Sequence, residues 1–258
     1  MIYTEYGQAL GSTLDYSRLA GILLSADYPG EFLFDSELDC DSVEQASLAG
    51  FMPMSTRLAQ EASAPVFLAA KLHTQRCLAQ PSSLRPTKSA FRDAKCYSLG
   101  LNRDFAATLA GCVAAHGDDW LSAELCAVFS ALARERPARR MKMISAELYA
   151  DGELVAGEIG YLIGSAYASL SGYTLRSGAG TVQLYALSAL LTQHGLSLWD
   201  LGMPLEYKLR LGARIAPRPE FIALLRDAYA QDGQSALAEP LEPQPAASLL
   251  AMLAYTRS

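Results

Sequence analysis

Apolar and polar residues alternate through SAELYA (145–150), the pattern of a half-buried strand. Asp151 and Gly152 follow, a pair that favours a tight hairpin turn. LVAGEIGYLIG (154–164) predicts a second strand and SAYASLSGYT (165–174) a third. The glycine loop SGAG then leads into a helix, because Val182, Tyr185, Leu187, Leu190 and Leu191 recur near the helical period. Gly195 after His194 stops that helix. Residues 196–202 read as a buried strand and 207–213 as a short helix.

Upstream, the pattern predicts a helix over 16–26, a turn and strand over 28–34 and an acidic loop over 35–41. Ser42 with Gln45 fits a capping box opening a helix that runs to Ala49, followed by the corner GFMPM. An apolar strand over 65–72 ends at His73, for which a structural role is expected. Amphipathic helices over 104–115 and 122–134 flank HGDDWLS. A closing helix follows Arg218, and from Asp232 the Pro-, Ala- and Glu-rich chain reads as a flexible linker before a short apolar helix. Three antiparallel strands, a helix and a further strand predict an α+β fold. The sheet is mixed, N-acetyltransferase-like and flanked by helices, with a smaller N-terminal α/β domain. The expected division is 1–70 for the small domain, 71–231 for the acyltransferase-like domain with its core at 143–231, and 232–258 for linker and C-terminal helix.

The 258 residues are 51% hydrophobic and 19% charged, the balance of a soluble globular protein. No apolar run approaches the ~18 residues of a membrane span. The first residues lack a basic segment followed by an apolar core, so a cytoplasmic location is expected. Five scattered cysteines in no metal-ligand spacing predict reduced thiols and neither metal nor cofactor. The net charge of −6 is unevenly spread: −8 over 1–50, +5 over 51–226 and −3 over 227–258. Arg76, Arg85, Lys88, Arg92 and Lys95 fall close together, and the last three share a helical face. A second basic group lies between Arg134 and Lys142. Each is either a solvated face or a phosphate contact.

One ordered set of short motifs is more particular: SAELY, DGELV, G, GYL and G, a helix, WD, then LGA-x-x-x-PR. This order resembles the leucyl/phenylalanyl-tRNA–protein transferases, without a gap from Ser145 to Arg218. Weaker echoes lie at Ala49-Gly50-Phe51-Met52-Pro53, near Leu84, and from Leu99 and Asn102 through Phe105 to Trp120. The resemblance implies transfer of an apolar amino acid, of leucyl, phenylalanyl or methionyl type, from aminoacyl-tRNA to the N-terminal α-amine of an acceptor protein. That marks the acceptor for N-degron degradation. The implied partners are aminoacyl-tRNA and proteins with a particular N-terminal residue, with no membrane and a monomeric enzyme.

The resemblance also places the site. Asp200 is the implied catalytic group, orienting or deprotonating the attacking amine; an ion pair with Lys208 or Arg210 is the competing role for a buried aspartate. Tyr167, Leu170, Leu184, Leu187, Leu191 and Trp199 are the implied lining of the aminoacyl pocket, although a helix on a sheet always presents such an apolar stripe. Trp120 and Met54 stand where the 3′-terminal adenosine is held, and Arg85, Lys88, Arg92 and Lys95 where the acceptor stem is held. Two polar residues of the family are replaced, a glutamine by Gly202 and a glutamate by Leu170; Glu158 and Glu206 are candidates to supply the missing contact to the acceptor amine. Two other activities fit parts of the pattern. Gly178 and Gly180 before a helix suit a coenzyme A–dependent N-acetyltransferase, though Leu175 stands where that motif has Arg or Gln. The two lost polar residues suit a non-catalytic binder of aminoacyl-tRNA or peptide N-termini.

Overall fold

The computed structural model describes residues 2–4, 9–10, 14–26, 29–57, 64–231 and 235–255. Tyr28, where a turn is expected, and residues 232–234 of the expected linker lie outside the described residues. In chain order the elements begin with β1 (Ile2–Thr4), β2 (Ala9–Leu10), α1 (Tyr16–Ser25), β3 (Phe32–Asp35), α2 (Cys40–Leu48), β4 (Met52–Arg57) and β5 (Val66–Lys71). β6 (Gln75–Ala79), α3 (Lys88–Asp93), β7 (Ser98–Leu101), α4 (Phe105–His116) and α5 (Ala123–Arg134) follow. Then come β8 (Lys142–Ala150), β9 (Glu153–Ile163), β10 (Ala166–Thr174), α6 (Ala179–Gln193), β11 (Leu198–Asp200) and α7 (Glu206–Arg210). The chain closes with β12 (Arg214–Pro217), α8 (Arg218–Tyr229), α9 (Ser235–Ala238), β13 (Leu241–Pro245) and α10 (Ala246–Tyr255).

The strands form two sheets, ordered β2-β1-β3-β5-β4 and β12-β6-β11-β10-β9-β8-β7-β13. The large sheet is mixed: β10 and β11 run parallel, and its other pairings are antiparallel. Asp151 and Gly152 both have positive φ, 52° and 83°, as the expected hairpin turn requires. Helices cover both faces of the central strands, which is why β9 is buried almost throughout instead of alternating. Ile159, Tyr161 and Ile163 of β9 pack with Leu109, Phe129 and Phe221 on one side. Ala156 and Leu162 pack with Tyr167, Val182, Leu187 and Leu250 on the other. The first of these cores also takes in Val43, Phe51 and Leu68, so the small sheet packs into it.

Several local expectations shift. The capping box of α2 is formed by Asp39 and Ser42: the Asp39 side chain accepts from the Ser42 N–H, and Ser42 Oγ accepts from the Asp39 N–H. Ser42 is therefore the third helical residue and not the cap, because Asp39, one turn earlier, already places a carboxylate oxygen on the open N–H group. Part of GFMPM is strand β4. The stretch expected to be a linker forms β13, paired antiparallel with β7, and α10 begins directly after it. Its prolines are tolerated because β13 is an edge strand. Arg218, the last residue of the LGA-x-x-x-PR motif, is buried and donates to the carbonyls of Gly30, Leu72 and His73. That motif arginine thus ties the start of α8 to the β5–β6 connection.

Candidate active site

Asp200 ends β11 and is 1% exposed. Its partner is Arg76 of β6, not Lys208 or Arg210. Arg76 Nε donates to both carboxylate oxygens at 2.9 and 3.0 Å, and Nη2 to Oδ2 at 2.8 Å. The Gly202 N–H adds a third donor, to Oδ1 at 2.8 Å. Antiparallel pairing of β11 with β6, Asp200 opposite Leu78, brings these residues together across the sheet. Arg76 Nη1 also contacts His73 Nδ1, and its guanidinium lies 4.8 Å from the centre of the Phe221 ring. Burial, reinforced by the Arg76 charge, pushes the His73 imidazole down to about 2, so its ring is neutral and accepts from the guanidinium. Neither His73 nor Arg76 was an expected site residue: the first reads as a strand-end histidine, the second as part of a surface basic run.

Lys208 and Arg210 have other partners. Lys208 is buried, with its ammonium donating to the carbonyls of Leu201 and Met203, on either side of Gly202. Arg210 pairs on the surface with Glu206. Gly202 has φ 75°, a conformation costly for any other residue, and a Cβ built there would come within 3.0 Å of Met52 Cε. Met52 and Met54 occupy alternate, half-buried positions of β4. Ser55 beside Met54 donates its N–H and hydroxyl to the Trp120 carbonyl, both at 2.8 Å. Met54 and Trp120 are therefore on adjoining segments, with Trp120 half-buried against the first core.

Of the expected pocket residues, Tyr167, Leu184, Leu187, Leu191 and Trp199 gather on the α6 side of the sheet. Leu170 does not join them. It falls where the β10 register shifts between Ser169 and Ser171, and it packs into the opposite core. With Ala168 it lies on the face opposite Tyr167 and Ser169, as the two-residue alternation of a strand requires. Glu158 is the carboxylate on the α6 side, 4% exposed. Its Oε1 accepts from Tyr167 Oη at 2.6 Å and Ser169 Oγ at 2.8 Å, and Trp199 Nε1 donates to Ser169 Oγ at 2.9 Å. Gln183 Nε2 reaches Glu158 Oε2 at 3.4 Å. Burial raises the Glu158 carboxyl above the ordinary carboxylate value, against the Tyr167 and Ser169 hydrogen bonds and the charge of Lys208. Glu206, the other candidate amine contact, stays at the surface with Arg210.

The basic residues divide as well. Arg85, Lys88, Arg92 and Lys95 are exposed; Lys88 and Arg92 lie on α3, and Lys95 in the 3-10 turn after it. Arg92 Nε donates to Asp93 at 2.9 Å, and Arg85 Nη1 to the Ser82 and Leu84 carbonyls, both at 2.7 Å. In the second basic group Arg139 is consumed by Asp41, Glu44 and Glu135, and Lys142 by backbone carbonyls. At the N-terminus of α6, Asp93 Oδ2 stands 3.3 Å from where a Cβ on Gly178 would be, an anion where a pyrophosphate would have to approach. Among the described residues no cluster of His, Cys, Asp and Glu is arranged to hold a metal ion, and no helix is long and apolar enough to cross a membrane.

Comparison with known proteins agrees with the motif order. A transferase of this type from Cupriavidus taiwanensis, named leucyl/phenylalanyl-tRNA–protein transferase, is 32% identical over 154 residues, covering 58% of this chain and 59% of the relative. One of the same name from Paracoccus denitrificans is 32% identical over 121 residues, 47% of this chain and 54% of the relative. The chain thus spans under two thirds of the length of these relatives. A solved structure, the C-terminal DUF2156 domain of a putative lysylphosphatidylglycerol synthetase from Agrobacterium fabrum, aligns over 93% of this chain and 76% of that one, at 12% identity and a TM-score of 0.35. That superposition is too loose to assign the fold. The family model for leucyl/phenylalanyl-tRNA protein transferase matches residues 78–226, more than half of the chain and every strand and helix from β8 to α7, and to that family the chain belongs.

Proposed function

We propose that this protein moves an amino acid of leucyl, phenylalanyl or methionyl type from aminoacyl-tRNA to the N-terminal α-amine of an acceptor protein, in the cytoplasm and as a monomer. The product is an N-degron. The observation that carries this reading is the family match over 78–226, which contains Asp200 and all the expected pocket residues. The arrangement of three antiparallel strands, α6 and a parallel β11 supports an N-acetyltransferase-like core for the transfer.

An aminoacyl ester is already activated, so holding it against the amine supplies much of the rate. The α-amine has an ordinary pKa near 8 and is partly neutral at physiological pH, so it attacks without a strong base. The amine nitrogen bonds to the ester carbonyl carbon, the bond to the ribose oxygen breaks, and the proton shed by nitrogen ends on that oxygen. In this reading Asp200 is a positioning residue. Its acceptor capacity is spent on Arg76 and the Gly202 N–H, so it fixes the 201–203 loop against β6. Trp120 and Met54 hold the terminal adenosine, and Arg85, Lys88, Arg92 and Lys95 face the acceptor stem.

Gly202 and Leu170 in place of polar family residues favour one other reading, a binder of charged tRNA that does not turn over. Both readings are tested by offering the protein labelled leucyl-, phenylalanyl- and methionyl-tRNA with peptides that differ in their first residue. Label in peptide establishes the transferase. Tight binding of charged tRNA with no labelled peptide establishes the binder.

A further inference from the structure

The α6 side of the sheet is lined as an aminoacyl pocket should be, except at one place. Glu158 and Gln183 are 4% and 3% exposed and meet on the side of the sheet where Tyr167, Leu187 and Trp199 gather. Two of their acceptor atoms are poorly served. Glu158 Oε1 takes two short hydroxyl hydrogen bonds, but Oε2 has only the 3.4 Å contact from Gln183 Nε2. Gln183 Oε1 is buried and has no hydrogen-bond donor at all. Leaving a buried acceptor unmet costs about 1–3 kcal/mol, more where the group is charged. Lys208 does not fill the gap: its charge acts on Glu158, but its ammonium is committed to the Leu201 and Met203 carbonyls.

We propose that Glu158 and Gln183 form a subsite for the cationic end of a transferred side chain, so that this chain accepts lysyl or arginyl groups besides apolar ones. The inference rests on the transferase reading and concerns the same pocket. An ammonium or guanidinium supplies several N–H donors in one small volume, enough to serve Glu158 Oε2 and Gln183 Oε1 together. The aliphatic stem of either residue suits the rest of the lining, Leu184, Leu187 and Leu191. A leucyl side chain has no donor and leaves both acceptors unmet. Sites built around buried polar groups discriminate strongly against ligands that lack the matching group. Gln183 belongs to the receptor, although it reads in the sequence as an ordinary polar position of a helix.

The full chain is offered lysyl-, arginyl-, leucyl- and phenylalanyl-tRNA, and single-turnover transfer to a peptide N-terminus is measured for the wild type and Glu158→Met. The expected result is lysyl or arginyl transfer by the wild type, with the ratio of lysyl or arginyl to leucyl transfer falling on the order of 100-fold or more in Glu158→Met. Should Glu158→Met fail to fold, Glu158→Gln keeps the shape and removes the charge, and the same loss of lysyl and arginyl transfer is expected. Leucyl or phenylalanyl transfer with none from lysyl- or arginyl-tRNA overturns the subsite and leaves the transferase. Cationic transfer that neither substitution reduces overturns the subsite as well. A wild type that transfers from no charged tRNA overturns the transferase reading and the subsite with it.

Discussion

Asp200 and Glu158 are both buried carboxylates of one sheet, and their surroundings differ in kind. Asp200 faces a guanidinium and a backbone N–H, and every direction from its carboxylate is answered. Glu158 is held by neutral donors, two on one oxygen and one distant amide on the other. The first arrangement is closed: a charge pair that orders the β6–β11 junction. The second retains capacity to accept, on the mostly apolar α6 side of the sheet. A buried carboxylate is thus not by itself a sign of catalysis. What matters is whether its partners exhaust it.

The sharpest way to break this comparison is to remove one partner of the closed pair. Asp200→Asn leaves Arg76 as a buried cation without its counter-charge, and a loss of about 3–5 kcal/mol is expected. Denaturant unfolding of the variant measures it. Arg76→Met with Asp200→Leu should recover much of that loss, since replacing both members of a buried pair is close to neutral. If Asp200→Asn instead unfolds like the wild type but transfers ~100-fold more slowly, the carboxylate acts on the amine and the closed description is wrong.

For Glu158 the comparison is sharpened by pH. Its carboxyl is raised above the unfolded value, chiefly by burial, so the native state holds its proton where the unfolded chain has lost it. Stability from this group is therefore greatest below the ordinary glutamate pKa and declines as pH rises toward the native value. The decline is at most about 1.4 kcal/mol per pH unit. Glu158→Gln removes that slope. Stability of the variant relative to the wild type should then grow with pH from about 4.5 upward, as read from unfolding at a series of pH values. Glu147, also raised by burial, leaves a second slope in both proteins, so it is the difference that reports Glu158.

The two carboxylates also show what could be read in advance. The central hairpin and α6 were legible because their signals are local: Asp151-Gly152, a helical period and a closing glycine. The apolar side of α6 that packs on the sheet followed from the same period. β6 and β12 were not legible, because Arg76 sits in a five-residue strand with a charge at its second position. That charge is balanced by Asp200, 124 residues away. A long-range pair leaves no periodic trace. The unmet oxygen of Gln183 is equally silent in sequence, since a polar residue in a helix is ordinarily solvated. Leu170 stands apart because strand alternation puts it, with Ala168, on the face opposite Tyr167 and Ser169, a periodicity the motif order alone does not report.

If both carboxylates serve the ester end, the adenosine must be held elsewhere, and Trp120 separates the two functions. Its side chain is half-buried and its carbonyl anchors Ser55, so the backbone contacts survive Trp120→Ala. Loss of stacking is worth about 1–3 kcal/mol, a roughly 5- to 150-fold weaker affinity for charged tRNA. Titration of folded protein checks it. A variant that melts earlier but binds normally once folded would make Trp120 a core residue only.

The smallest effect is expected at the basic face, and it divides by residue. Lys88 has no ion-pair partner among the described residues, whereas Arg92 is already paired with Asp93. A phosphate contact by Arg92 has to compete with that carboxylate; one by Lys88 does not. Every phosphate left without its cation keeps its counterions, which lowers the slope of log affinity against log salt by about 0.7–0.9. Lys88→Ala should therefore flatten the slope by nearly that amount, and Arg92→Ala by less. The double variant should approach the sum, with all charged tRNAs weakened alike because phosphates carry no amino-acid identity. This outcome would leave amino-acid choice to the α6 side of the sheet, where Glu158 lies. An unchanged slope at several salt concentrations would make α3 a solvated face, and a change confined to one charged tRNA would place Lys88 nearer the aminoacyl end than the stem.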